Sequence, residues 1–390
     1  MDHLQRHADL MRTGGTAVHS FSTALAALLA LAAAAGAAFA QPPSPGPALD
    51  FTPLIEAARV EDPLDFCGEP VPLEDPDVRE RMEREMLLVL WDAPMVILWA
   101  KRAGQHMGAI EATLRNNDLP PDLKFIPVAE SSLRPHAGSP KGAMGFWQFM
   151  GPTAQKYGLK VDSEKDQRRN LDDSTEAAVA YLKQLHGMFG SWTLAAAAYN
   201  MGENGLKREI AAQDTRDYYR LYLPLETQRY VFRILAAKRI LSDPGRFGFH
   251  LKPEDLYRPA AVDLATVDLA AETPVLAVAR AADTDLKMIK DLNPEIRGYQ
   301  LAPGRHRLRL PQMSAQGFPA RLAEEVQRIQ RSEETIVYVV KEGDSLGAIA
   351  ERFNVPLSEI NRRNQLDPKK PIQPGQRLSI TLRRGGESEP

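Results

Sequence analysis

The tail of the chain repeats itself. At an offset of 71 residues, Val275, Val278, Ala279, Leu286, Ile289 and Asn293 meet Leu346, Ile349, Ala350, Leu357, Ile360 and Asn364. Leu301, Pro303 and Gly304 meet Ile372, Pro374 and Gly375 at the same offset. Apolar positions kept at fixed spacing, together with a turn-forming Pro-Gly, mark a duplicated supersecondary unit. Two small modules are therefore expected, at residues 262–311 and 336–382. Between them, over 312–335, Leu322, Val326 and Ile329 after Pro319 predict a short amphipathic helix, a helical linker. Residues 383–390 read as a disordered tail.

Ahead of the repeat the texture is helical. Asp75 caps a helix whose first-turn proline is Pro76, and Val78, Met82, Met86 and Val89 follow at helical spacing. Asp173 with Glu176 reads as a capping box ahead of Ala177–Leu185, and Ser191 as the cap of Thr193–Tyr199. Helical signals run to about Leu241 with no convincing alternating stretch between them. Residues 75–245 are therefore expected to form an all-α domain.

The N-terminus has the order of an export signal. Arg6 and Arg12 precede an uncharged Ala- and Leu-rich run from Phe21 to Ala40, which ends in Ala38-Phe39-Ala40. Residues 1–40 are read as a signal peptide. The rival reading is an uncleaved segment that keeps the protein associated with the membrane. A lipid anchor would need a cysteine directly after this run, and the single cysteine of the chain is Cys67. That lone thiol also excludes an intramolecular disulfide and a multi-thiolate zinc site. Residues 41–74 are read as a Pro-rich spacer and N-terminal extension. With 48 basic against 51 acidic residues there is no footprint for nucleic acid.

Several chemistries drop out on spacing. Beyond the export segment no two histidines stand at a helical ligand spacing, so no metal is expected. Ser139 is not in a nucleophile elbow, and Gly142 and Gly145 lack the order of a phosphate loop, so no nucleotide cofactor is expected either. Glu130 ends the apolar stretch from Leu123 to Val128. Two readings stand for it. Desolvation could raise its pKa toward that of a general acid, or it could sit exposed at the end of its helix. Gly142 to Met150 is a glycine hinge followed by aromatic and amide side chains, which suits either a sugar cleft or a core loop.

In order along the chain come Glu130-Ser131, then Gly145-Phe146-Trp147-Gln148-Phe149-Met150, then Ala197-Ala198-Tyr199-Asn200-Met201-Gly202, then Glu226-Thr227-Gln228-Arg229-Tyr230-Val231. This succession resembles the family 1 lytic transglycosylases over residues 75–245. The resemblance implies a goose-type, lysozyme-like helical domain that cleaves the β-1,4 bond between N-acetylmuramic acid and N-acetylglucosamine in peptidoglycan without water. It implies Glu130 as acid and then base, giving 1,6-anhydromuramoyl products. It places Ser139, Gln148, Met150, Thr153, Asn200 and Glu226 along the cleft, and Tyr199 as the tyrosine that orients Glu130. Tyr230 and Trp192 are read as packing. Pro127, three residues before Glu130, is expected to bend the helix and aim the carboxyl.

Tyr338-Val339-Val340-Lys341-Glu342-Gly343-Asp344-Ser345-Leu346 and Pro374-Gly375-Gln376-Arg377-Leu378 resemble a LysM module. This implies a small βααβ fold that binds N-acetylglucosamine-containing glycan, with strands at Val339 and Leu378–Ile380. The earlier copy has Glu272-Thr273 where the later has Gly343-Asp344, so it reads as degenerate and structural rather than binding. The family implies the periplasm or cell envelope of a Gram-negative bacterium. Two alternatives remain: a hydrolytic lysozyme or chitinase with Glu203 or Glu226 as its second carboxylate, and a non-catalytic glycan-binding protein.

Overall fold

In the computed structural model the described residues are 51–61, 63–367 and 370–383. The segment read as a signal peptide lies outside them, as do residues 384–390 of the final tail; Arg383, read with that tail, ends a strand. Among the described residues no helix is long and apolar enough to cross a membrane.

The first long helix, Pro76–Trp91, begins where its cap predicts: the Asp75 carboxylate accepts the Asp77 amide and Pro76 occupies the first turn. Ser191 likewise accepts the Leu194 amide at the start of Trp192–Met201. The capping box expected at Asp173 is displaced. Helix Leu171–Phe189 starts earlier, because Asn170 accepts the Asp173 amide. Asp172 and Asp173 then fall in the first turn, where the helix dipole favours carboxylates.

These helices, with Ala93–Asn116 and Leu225–Ser242, enclose one large apolar core. Trp147, Met82, Met86, Ile110 and Phe232 are among its most deeply buried side chains. The Ala195–Ala198 run is fully buried, which lets neighbouring helices approach closely. Part of the segment read as spacer and extension belongs to this core. Helix Thr52–Ala58 and the Asp65–Phe66/Glu69–Pro70 hairpin bury Ala58, Phe66 and Val71. Glu69 turns its carboxylate onto the start of Trp192–Met201, accepting the amides of Trp192 and Thr193 and the Ser191 hydroxyl. An acidic group at that end meets unpaired N–H groups and the positive end of the dipole.

The repeated modules have the expected strand–helix–helix–strand order. In the first, Val262–Leu269 pairs antiparallel with Gly304–Pro311 around helices Val275–Ala281 and Leu286–Leu292. In the second, Glu333–Val339 pairs with Arg377–Arg383 around Leu346–Arg352 and Leu357–Arg363. Asn293 and Asn364, matched in the repeat, do the same work. Each side-chain amide donates to the carbonyl four residues back and to one on the closing strand, and each side-chain oxygen accepts an amide of that strand. The intervening helix, Phe318–Ser332, is less a free linker than a wall of the first module, since Phe318, Leu322 and Ile329 are buried in its core.

The first module is joined to the helical domain through backbone. Lys165 and Ile296 form an antiparallel bridge; the Asp166 amide donates to the Glu295 carbonyl and the Arg297 amide to the Glu164 carbonyl, both at 2.8 Å. Arg309 pairs with Asp172 across the same seam.

Candidate active site

Glu130 stands near the end of a short helix, Ile126–Ser131, which continues a 3₁₀ turn at Pro121–Phe125. The kink expected from Pro127 does not form. Pro127 lies in the first turn, where its missing N–H would have had no helical partner, so it starts the helix rather than bending it. The helix ends sharply because Ser132 is left-handed, at φ 54°, and its amide donates to the Val128 carbonyl. The buried Ser131 hydroxyl lies 2.7 Å from the Phe146 carbonyl, tying this helix to the glycine loop.

The Glu130 carboxyl is partly buried, and the Tyr230 hydroxyl donates to its Oε1 at 2.5 Å. Desolvation raises its pKa from 4.5 to about 7; the Tyr230 hydrogen bond and Arg233 oppose the rise, and Glu226 adds to it. Of the two readings open in the sequence, the geometry favours the desolvated carboxyl. Tyr230 itself is pushed well above the ordinary tyrosine range, first by burial and then by the Glu130 charge, so it stays a donor at neutral pH.

Tyr230 was expected only to pack, yet its hydroxyl is the one that reaches Glu130. Tyr199 instead donates to the Trp147 carbonyl at 2.7 Å, and its ring meets Phe149 edge-on. It therefore steadies the loop opposite Glu130 rather than the carboxyl. The signal for Tyr230 was positional: Glu226, Tyr230 and Arg233 recur at helical spacing on Leu225–Ser242 and present one face. Glu226 is exposed and pairs with Arg233 at 3.0 Å. Asn200 accepts the Thr227 hydroxyl at 2.8 Å, joining the tyrosine-bearing helix to the same face.

The loop from Ala137 to Met150 forms the other wall. Gln148 donates its side-chain amide to the Ala137 and Gly145 carbonyls, at 2.9 and 2.8 Å, so that group closes the loop from within. Ser139 accepts the Ala143 amide and shapes the turn. Met150 stands 42% exposed and occupies the cap position of helix Gly151–Lys156, and Thr153 lies inside that helix. Among the described residues the loop is tied to the Glu130 helix through the Ser131 hydroxyl and the Phe146 carbonyl, and no side-chain hydrogen bond joins Ser139, Met150 or Thr153 to Glu130.

Beneath the loop lies Arg168, which the sequence did not single out. It grips Asp166 through two hydrogen bonds of 2.8 Å and donates to the Gly142 and Phe149 carbonyls at 2.9 Å. Both partners are nearly buried, so the pair replaces hydration with fixed hydrogen bonds. Backbone acceptors leave no trace in sequence, which is why Arg168 was not legible. Gly145 sits so close above it that a Cβ would lie 1.8 Å from the Arg168 carbonyl oxygen, and its φ is +84°. Among the described residues no cluster of His, Cys, Asp or Glu could hold a metal ion.

A carboxyl with a pKa near 7, held by one fixed donor beside a loop-walled cleft, can give a proton and take one back at neutral pH. Residues 107–221 match the family model of the transglycosylase SLT domain. Residues 263–327 match the LysM-like domain of lytic transglycosylase MltD, and residues 338–381 the LysM domain. The chain is similar to the membrane-bound lytic murein transglycosylase D of Escherichia coli strain K12, at 32% identity over 293 residues. The alignment covers 72% of this chain and 64% of that protein, so the chain spans less than two thirds of the relative's length. The protein of the same name from E. coli O6:H1 aligns with the same figures. Among solved structures, the 70 kDa soluble lytic transglycosylase of E. coli is similar at 21% identity, covering 39% of this chain and 26% of that one. Its TM-score of 0.31 is too low to carry a fold assignment.

Proposed function

From its SLT domain, followed by a LysM-like and a LysM domain, we propose that this chain is a peptidoglycan lytic transglycosylase. One observation supports the reading above the rest: Glu130 is desolvated to a pKa of about 7 and hydrogen-bonded by Tyr230. Near neutral pH a large share of Glu130 is protonated, with Oε1 already accepting from Tyr230 and Oε2 available to carry the proton. Glu130 gives that proton to the glycosidic oxygen as the bond from muramic-acid C1 to that oxygen breaks. The substrate's acetamido group stabilises the developing positive charge at C1. The Glu130 carboxylate then takes the proton of the C6 hydroxyl as that oxygen bonds to C1 and closes the 1,6-anhydro ring. One carboxyl serves both steps, so no second catalytic carboxylate is required, unlike in most glycosidases.

In this reading Tyr230 is a positioning residue for Glu130. Tyr199 and Gln148 hold the loop wall, and Ser139, Met150, Thr153, Asn200 and Glu226 line the path of the glycan. The module at 336–382 binds N-acetylglucosamine-containing glycan, and residues 1–40 direct the chain to the periplasm, or hold it at the membrane if uncleaved. Mass spectrometry of digested sacculi tests the reading. Soluble products lacking one water at the muramic end, absent with Glu130→Gln, are expected; reducing-end products would show a hydrolase instead. Equal fragment release by wild type and Glu130→Gln would remove Glu130 from the chemistry.

A further inference from the structure

A second cavity, of about 330 Å³, opens at the seam between the helical domain and the first module. One wall is the outward face of strand Gly304–Pro311, where alternation turns Leu308 and Leu310 into the core and Arg305, Arg307 and Arg309 toward the cavity. The opposite wall carries Lys165 and the start of helix Leu171–Phe189. Part of this charge is already matched: Arg309 pairs with Asp172, and Asp173 accepts from the Gln167 amide at 2.6 Å. Arg305, Arg307 and Lys165 form no ion pair with any described residue, although Asp268 stands opposite Arg305 in the strand register.

Glu295 completes the lining. It is only 4% exposed, its carboxyl is hydrogen-bonded by the Asn170 side chain, and its Oε2 has no hydrogen-bond partner. Buried polar atoms are nearly always satisfied, so one without a partner at the wall of a charged cavity points to a missing donor. The cavity thus combines three unmatched cations with one unmatched carboxyl oxygen. Neutral sugar has no counterpart for that set. A ligand that carries both carboxylates and an ammonium does, and guanidinium groups bind carboxylates in bidentate fashion.

We propose that this cavity binds the peptide stem of peptidoglycan, taking the carboxylates of its diamino acid on Arg305, Arg307 and Lys165 and its free ammonium on Glu295. The proposal rests on the reading of the chain as a peptidoglycan enzyme, and it adds a hold on the peptide to the hold on the glycan. A cavity of this size suits one or two amino-acid residues rather than a saccharide chain.

The test is calorimetric titration of the full chain with N-acetyl-L-Ala-γ-D-Glu-meso-diaminopimelate, whose single free amine is that of the diamino acid. The proposal expects binding that is retained in Glu130→Gln. It expects a Kd raised roughly tenfold or more in Arg305→Gln/Arg307→Gln, and weaker binding when the free amine is acetylated. Both arginines are exposed, so melting of the double variant should match wild type, which separates lost binding from lost fold. Absence of binding, an unchanged Kd in the double variant, or indifference to acetylation would overturn the proposal. So would inorganic phosphate binding to the same arginines as tightly as the peptide. The titration reads binding alone, so its result is independent of whether sacculus products carry the anhydro ring.

Discussion

Replacing Glu130 with Gln should remove activity and, at the same time, stabilise the protein in a pH-dependent way. The carboxyl has a pKa of about 7 in the folded chain against an ordinary 4.5. A raised carboxyl pKa means that the folded state binds the proton more tightly than the unfolded state. Below pH 4.5 the group is protonated in both states and contributes no difference. As pH rises from there to 7, the unfolded state ionises first and the native state loses stability, the loss being complete above the folded pKa. At about 1.4 kcal/mol for each tenfold change in proton affinity, the loss reaches about 3 kcal/mol. Gln keeps the shape and still accepts from Tyr230 but cannot ionise. The variant should therefore match wild type near pH 4 and melt roughly 6–12 °C higher at pH 8, the scale for a domain of this size. Thermal melts of both proteins at half-unit steps from pH 4 to 8 give the difference curve directly. A melting difference that does not change with pH, or a variant less stable at pH 8, would refute the claim that burial strains this carboxylate. Activity of the variant should fall by roughly 10²–10⁴ or more.

Tyr230→Phe removes the hydrogen bond that holds the Glu130 pKa down, so the alkaline limb of the pH–rate profile should move upward while the rate falls; a slower enzyme with an unmoved limb would mean that the tyrosine only packs. Gly145→Ala puts a methyl group against the Arg168 carbonyl and should cost at least ~2 kcal/mol together with activity. Gly142→Ala, which meets nothing within 4 Å although its φ is +92°, should cost only about 1 kcal/mol, and equal melting temperatures for the two would contradict the packing argument. Asn293→Ala and Asn364→Ala should each loosen one module by about 1–3 kcal/mol per stranded backbone group, seen as faster amide exchange at Arg309 and Ser379 respectively.

Much of this was legible in the sequence, and the exceptions share a cause. Caps such as Asp75 and Ser191 act on amides two or three residues away, so they can be read from neighbours alone. The repeat exposed Asn293 and Asn364 as equivalent because duplication preserves whatever work a residue does, even before that work is known. The seam at Lys165 and Ile296 was invisible because backbone pairs across it carry no residue preference. Tyr230 is buried and Tyr199 partly buried near Glu130, and which hydroxyl reaches the carboxyl depends on how two helices cross. Residues 41–74 read as a spacer and extension because prolines break their pattern, yet Ala58, Val60, Phe66 and Val71 are buried in the helical core.

The backbone bridge at the seam also decides where the chain can be cut. A fragment ending at 245 looks like a natural catalytic unit, but it would strip the Glu295 carbonyl from the Asp166 amide and the Arg297 amide from the Glu164 carbonyl. Asp166 is the residue that anchors Arg168 beneath the cleft loop, so the bared edge would lie one hydrogen bond away from the wall facing Glu130. A fragment extended through Ser332 keeps the seam and the helix that seals the first module. The smallest soluble, active piece of this protein is therefore expected to include that module, and the shorter fragment to expose a ready edge for strand pairing and self-association.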